Sequence, residues 1–167
     1  EKFKSEIDDK LSAEVLKKIK NIATDIYGDI IKSQSPSINI PLRSLTNVTY
    51  DPKIGYFEIT DKEKNRTLTA STIKTFAQTL RMMALSYELV RTKDIATKRE
   101  AYYVSKNWGE ARFHEQPESD MIMDDIEAMI RVNREQIGFI PEEKGGDIAG
   151  DLVVIDKDPD TGKELKI

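Results

Sequence analysis

The sequence predicts an α+β fold, in which a long N-terminal helix and a β-hairpin lead into a winged helix-turn-helix domain over residues 68–160. Three observations carry this prediction. Apolar residues recur at three- and four-residue intervals from Phe3 to Ile30, which is a helical period. Two short β-branched and aromatic runs flank Asp51-Pro52-Lys53-Ile54-Gly55, a hairpin signal. Further on, three helical patterns precede a turn-rich segment with β-branched residues, the element order of a winged helix.

The first helix places Phe3, Ile7, Leu11, Val15, Ile19, Ile22, Ile26 and Ile30 on one stripe, with Lys and Asp between them. Such a stripe faces either the protein's own core or a partner, and its length leaves both destinations open. Ser33–Pro41 (SQSPSINIP) breaks the helix with two prolines. Strands are expected at Asn47–Tyr50 and Tyr56–Thr60. A second helix runs from Ser71 to Val90, with Ile73, Phe76, Ala77, Leu80, Ala84 and Tyr87 as its apolar stripe. A third begins at Thr97-Lys98-Arg99-Glu100, a capping box in which Thr and Glu side chains each take an orphan backbone N–H. It continues to Asn107, and the face bearing Ala101, Val104 and Trp108 is expected to be buried. A fourth spans Gln116–Asn133, with Ile122, Ile126, Met129 and Ile130 inward. Leu152–Ile155 then reads as a strand, Asp158-Pro159-Asp160-Thr161-Gly162 as a turn, and Leu165–Ile167 as a return strand.

The 167 residues contain no cysteine and one histidine, His114. Disulfides, thiolate metal sites and cysteine nucleophiles are thereby excluded, as is a His-rich metal centre. No apolar run approaches the roughly 20 residues of a membrane span. The net charge of −4, from 26 basic and 30 acidic side chains, argues on its face against a nucleic-acid partner. The charge is unevenly distributed. Residues 66–114 carry nine basic side chains against four acidic, and residues 115–167 six against fifteen. Charges more than about 10 Å apart are largely screened at ~0.1 M salt, so a basic middle can hold a polyanion within an acidic chain. A solvated basic surface is the alternative.

The third helix holds the chemically informative peptide, KREAYYVSKNW from Lys98 to Trp108. On a helical wheel Arg99, Tyr103 and Lys106 fall opposite the apolar face, while Tyr102 lies near Lys98 and Lys106. Positive charge beside a phenol favours the phenolate and stabilises a phosphoryl transition state, so a tyrosine between cations is suited to attack phosphorus. An ordinary amphipathic tyrosine is the competing reading, and the wheel alone does not choose between Tyr102 and Tyr103. His114 is read as a general base, a DNA contact or a structural residue. Trp108 is read as core. Asp156, Asp158 and Asp160 have the spacing of a loop metal site, but their Pro and Thr-Gly neighbours make them a turn, so no metal site is assigned.

The peptide Lys98-Arg99-Glu100-x-Tyr102-Tyr103, followed by Phe113-His114-Glu115-Gln116-x-Glu118-Ser119-Asp120, resembles the A subunits of type IIB DNA topoisomerases. That family includes archaeal topoisomerase VI and the eukaryotic meiotic double-strand-break protein. Ile40-Pro41-Leu42-Arg43, Asn47-Val48-x-Tyr50-Asp51, Arg134-Glu135 and Gly150-Asp151-Leu152 extend the likeness over residues 15–155. The resemblance implies a winged helix of the catabolite-activator type at 68–160, preceded by a partner-facing helix and strap at 1–67. It implies that Tyr103, the second of the pair, forms a transient 5′-phosphotyrosine link to DNA, and that Arg99 steadies the phosphate. Lys98, Lys106 and Arg112 are added as DNA contacts from their charge and position. The family context implies a homodimer of A subunits on double-stranded DNA, joined to an ATP-binding B subunit in an A2B2 assembly. It implies Mg²⁺ held by a Toprim domain, to which residues 161–167 begin the linker and which this chain lacks. The implied location is the cytoplasm of an archaeon, at the nucleoid, or the nucleus of a eukaryote. A non-enzymatic winged-helix regulator is the alternative. Against it, the fourth helix would present Glu118, Asp120, Asp124, Asp125 and Glu127 to DNA.

Overall fold

A computed structural model describes residues 2–53, 55–60, 62–140, 155–157 and 164–166. Helix α1 (Lys2–Ile31) follows the predicted stripe. The middle of that stripe closes the protein's own core: Val15 and Ile19 enter one apolar cluster, Ile26 enters a second, and Ile22 packs against both. Tyr27, Ile30 and Ile31, at the end of α1, are exposed. The helix stops where Ser33 turns left-handed (φ 56°), and the Gln34 N–H donates to the Asp29 carbonyl at 2.8 Å.

Strand β1 (Ser37–Pro41) lies within the segment that the prolines marked as a break. Its Ile38 and Ile40 are buried, and Pro41 is its last residue, where a missing N–H is tolerated. Strands β2 (Val48–Asp51) and β3 (Tyr56–Ile59) form the expected antiparallel hairpin, with Val48 opposite Ile59. Strand β4 (Glu63–Thr67) pairs antiparallel with β1, Ser37 opposite Thr67. Its sequence, EKNRT, has no apolar residue and so no strand signal. A short 3₁₀ turn, Leu45–Asn47, brings Asn47 between the two ladders. The Asn47 amide donates to the Leu42 and Lys62 carbonyls (2.8 and 2.9 Å), and its oxygen accepts from the Thr60 hydroxyl and the Lys62 N–H (2.5 and 3.0 Å). A fully buried amide with both ends satisfied fixes the geometry of the loop it joins.

Helix α2 (Ile73–Thr92) is buried over a different arc from the predicted stripe. Ile73 and Ala84 are exposed, whereas Met82, Met83, Leu89 and Val90 are buried with Phe76. The cause is packing on several sides, since α2 touches α1 and the segments that follow it. The buried arc therefore takes in polar Gln78, Thr79 and Ser86, each hydrogen-bonded, and Ser86 donates to the Ile137 carbonyl at 2.8 Å. At the end of α2, Lys93 is left-handed (φ 58°) and donates to Asp9 of α1 at 2.8 Å, which raises its pKa above the ordinary lysine value.

Strand β5 (Ala96–Thr97) leads into helix α3 (Lys98–Ser105), then a 3₁₀ turn (Gly109–Ala111) and helix α4 (Gln116–Ile130). A third 3₁₀ turn (Arg134–Ile137) precedes strand β6 (Phe139–Ile140), which pairs parallel with β5, Ala96 opposite Phe139. Helix α4 ends before the predicted Asn133 because Arg131 is left-handed (φ 57°). Of its predicted inward residues, Ile122, Ile126 and Ile130 are buried and Met129 half-buried, joined by Met123, Phe113, Ile137 and Phe139 in the main core. Strands β7 (Ile155–Lys157) and β8 (Glu164–Lys166) pair antiparallel, Asp156 opposite Leu165, as the predicted hairpin requires. Leu152–Val154 and the turn at 158–162, with Asp158 and Asp160, lie outside the described residues.

The acids of α4 are largely absorbed within the fold. Buried Asp125 accepts from Arg66 (2.6 Å) and Lys64 (2.9 Å) of β4, and Arg66 also donates to Thr79 of α2 at 2.9 Å. Arg43 reaches Asp124 at 3.0 Å, and Arg134 donates to both Asp124 and Glu127. The β1–β4 ladder is thus clamped onto α4. The fold is α+β, with strands in two-stranded ladders among the described residues, and no described helix is long and apolar enough to cross a membrane.

Candidate functional site

Helix α3 is short, and two devices position it. The β5–β6 pairing fixes the chain just before it. The predicted capping box then forms: Thr97 Oγ1 accepts from the Glu100 N–H (3.1 Å), and the Thr97 N–H donates to Glu100 Oε2 (2.6 Å). Glu100 is therefore the helix cap. The buried face is Ala101 and Ser105, while Val104, expected inside, is 40 % exposed. With two turns of helix, the side facing α4 and Phe113 is set by small residues, and an apolar wheel overestimates the buried arc. Trp108 is half-buried with its ring 5.8 Å from that of Phe113.

The two tyrosines occupy opposite environments. The half-buried Tyr102 donates its hydroxyl hydrogen to the His114 carbonyl at 2.8 Å and accepts from Lys106 Nζ at 2.7 Å. The same ammonium donates to the Phe113 carbonyl at 2.7 Å and sits 4.0 Å from the centre of the Tyr102 ring. Tyr102 and Lys106 together latch α3 to the Phe113–His114 backbone. Tyr103 is 53 % exposed. Its hydroxyl lies 3.4 Å from both Nε and Nη2 of Arg99, whose guanidinium stands 5.7 Å from the Tyr103 ring centre. Arg99 and Tyr103 are thus brought together, as the i, i+4 spacing predicts. Lys106 turns instead toward Tyr102.

The remaining predicted residues are spread around this pair. Lys98 lies 3.6 Å from Asp120 of α4, with both side chains partly exposed. Arg112 is exposed, and its carbonyl accepts from Gln78 of α2 at 3.3 Å. His114 is exposed, and its N–H donates to Glu118 Oε2 at 2.9 Å. Sequence reasoning missed the latch and the Asp125 clamp. The i, i+4 spacing of Tyr102 and Lys106 is visible in the chain, whereas Asp125 is 59 residues from Arg66 and carries no local signal. Among the described residues no group of three acidic or His side chains is placed to hold a metal. Asp124, Asp125 and Glu127 already face cations, so they do not fit a divalent ion.

Residues 74–139 match the family model for type IIB DNA topoisomerase. Relatives named as the A subunit of type 2 DNA topoisomerase 6 cover most of the chain. That of Methanocaldococcus jannaschii is 47 % identical over 143 residues, 86 % of this chain and 39 % of the relative. That of Pyrococcus abyssi is 35 % identical over 147 residues, 85 % of this chain and 38 % of the relative. That of Methanothermobacter thermautotrophicus is 31 % identical over 144 residues, 86 % of this chain and 40 % of the relative. The chain spans roughly two-fifths of the length of these curated relatives.

Proposed function

We propose that this chain, a relative of the type IIB DNA topoisomerase A subunits, supplies the strand-cleaving tyrosine of such an enzyme. Tyr103 Oη attacks a DNA phosphodiester. A bond forms from oxygen to phosphorus, the bond from phosphorus to the 3′ oxygen breaks, and the phenol proton is released as that oxygen becomes a 3′-hydroxyl. The product is a 5′-phosphotyrosine link, and the reverse attack reseals the strand. The observation that carries this assignment is the contrast between the hydroxyls: that of Tyr103 is exposed beside Arg99, while that of Tyr102 is committed to the His114 carbonyl and Lys106. Arg99 can hold the phosphate and stabilise charge on its oxygens in the transition state. Arg112 contacts the DNA backbone. Lys98 and Lys106 add positive charge at the same helix while anchored by Asp120 and by the Phe113 carbonyl.

The reading includes a winged-helix arrangement at 68–160, with β7–β8 as the wing. The helix and strap at 1–67 face a partner, and the linker to a Toprim domain begins at 161. The working assembly is an A2B2 complex with an ATP-binding B subunit, acting on duplex DNA. On this reading magnesium is held by the Toprim domain of that assembly.

The test is a trapping experiment on the assembled enzyme with supercoiled DNA, Mg²⁺ and nucleotide, stopped with denaturant. Protein should be recovered on DNA 5′ ends. Tyr103→Phe should abolish the adduct with DNA affinity nearly unchanged, and Tyr102→Phe should retain it. Adduct persisting in Tyr103→Phe, or lost only in Tyr102→Phe, overturns the assignment.

A further inference from the structure

We infer that Lys74, Arg81 and Arg112 form a second phosphate-binding face, which takes the backbone of duplex DNA beside the cleavage tyrosine. The inference rests on the reading above that DNA is the substrate. The cations of residues 66–114 differ in what they already hold. Arg66 is committed to Asp125, Arg91 to Glu88, Lys93 to Asp9 and Lys98 to Asp120. Lys106 is committed to Tyr102 and the Phe113 carbonyl, and Arg99 lies beside Tyr103. The side chains of Lys74, Arg81 and Arg112 have no hydrogen bond or ion pair among the described residues. A cation not neutralised within the fold is one whose field and donors remain available to a ligand.

These three residues belong to one surface. Lys74, Gln78 and Arg81 stand at i, i+4 and i+7 of α2, within about 60° of one another around the helix axis. Gln78, in the same row, donates to the Arg112 carbonyl at 3.3 Å, and so ties the Arg112 backbone to the flank of α2. The Gly109–Ala111 turn just before Arg112 packs on the same helix. Arg112 is two residues from His114, whose carbonyl accepts the Tyr102 hydroxyl, so the face is continuous with the latch that holds the tyrosine helix. Residues 64–87 contain no Asp or Glu, in a chain with 30 acids. Lys74 and Arg81 are about 10 Å apart along the helix axis, and duplex DNA presents a negative charge for every ~1.7 Å of its own axis. A row of this length therefore meets several phosphates. Gln78, the one side chain of the row with both a donor and an acceptor, is buried against the Arg112 carbonyl, so the row is assigned to the phosphate backbone, in a contact independent of sequence.

The test is a salt series. The affinity of the full chain for a blunt duplex of arbitrary sequence is measured by anisotropy for wild type, Lys74→Gln/Arg81→Gln and Arg112→Gln. Each lost phosphate contact should lower the slope of log affinity against log salt by about 0.9, so the double variant should lose about 1.8 and Arg112→Gln about 0.9. Lys10→Gln/Lys17→Gln removes equal charge from α1 and should leave the slope at the wild-type value. The charge-retaining Lys74→Arg/Arg81→Lys should restore it, which a structural role at these positions would not. A double-variant slope equal to wild type or to the α1 control overturns the inference and leaves the cleavage reading standing. A wild-type protein with no salt-dependent affinity for the duplex overturns both.

Discussion

Tyr102 and Tyr103 share a helix, a residue type and a set of nearby cations, yet Tyr103 is 53 % exposed while the Tyr102 hydroxyl is bonded to the His114 carbonyl and Lys106. The difference arises from the 100° step between them, which turns Tyr102 toward the Phe113–His114 backbone and Tyr103 toward solvent. Asp125 shows the same dependence on surroundings. It is one of several acids on α4, and it is buried because Lys64 and Arg66 meet it there. Asp125→Ala would leave the Arg66 guanidinium, 14 % exposed, without its counter-charge. A stability loss of about 3 kcal/mol is expected in denaturant unfolding, with faster amide exchange across β1 and β4. Unchanged stability would show that water replaces the pair without cost. Gly138 is constrained differently. At φ +85° an added Cβ would lie 2.7 Å from Leu89 Cβ. Gly138→Ala should cost at least about 2 kcal/mol through left-handed strain and overlap, read as a lowered thermal midpoint.

At the scale of elements, helix starts are more legible in the chain than helix ends. The α3 capping box is written in Thr97 and Glu100, and it forms. Helices α1, α2 and α4 instead end at Ser33, Lys93 and Arg131, left-handed residues without the glycine that usually marks such a turn. That is why the apolar pattern carries α4 three residues too far. The β1–β4 ladder escapes the pattern for a related reason: Pro41 and the wholly polar EKNRT hide a strand whose position is set by the Asp125 clamp and the Asn47 amide. On the proposed reading the cap of α3 bears on cleavage, because Arg99 sits in its first turn. Thr97→Ala should cost about 1 kcal/mol and lower adduct yield in the trapping experiment, with Thr97→Ser recovering most of both. If the yield is untouched while stability falls, Arg99 is held by contacts other than the cap.

Across the whole molecule, charge is the property that changed meaning. The acidic total of −4 and the basic middle are both readable in the chain. The acids of α4 look, in sequence, like a surface that repels DNA, but Asp124, Asp125 and Glu127 are matched inside the fold by Arg43, Lys64, Arg66 and Arg134. Repulsion by α4 therefore no longer weighs against a regulator. The enzyme reading rests instead on the tyrosine environment and the relatives. Pairing also thins the basic segment, and what remains is a defined row on α2 with Arg112 beside it. DNA affinity is therefore expected to follow those few side chains more than net charge, as the matched α1 variant would show.

By itself the sequence determined the helical periods, the central hairpin, the α3 cap and the peptide that carries the family likeness, because each depends on residues a few positions apart. The tertiary structure decided which tyrosine is exposed, which cations remain unpaired and where the strap lies. Those outcomes depend on contacts such as Arg66 with Asp125, 59 residues apart, and Gln78 with Arg112, 34 apart. A side chain's charge or hydroxyl is fixed by its type, but its availability depends on whether folding brings a partner to it.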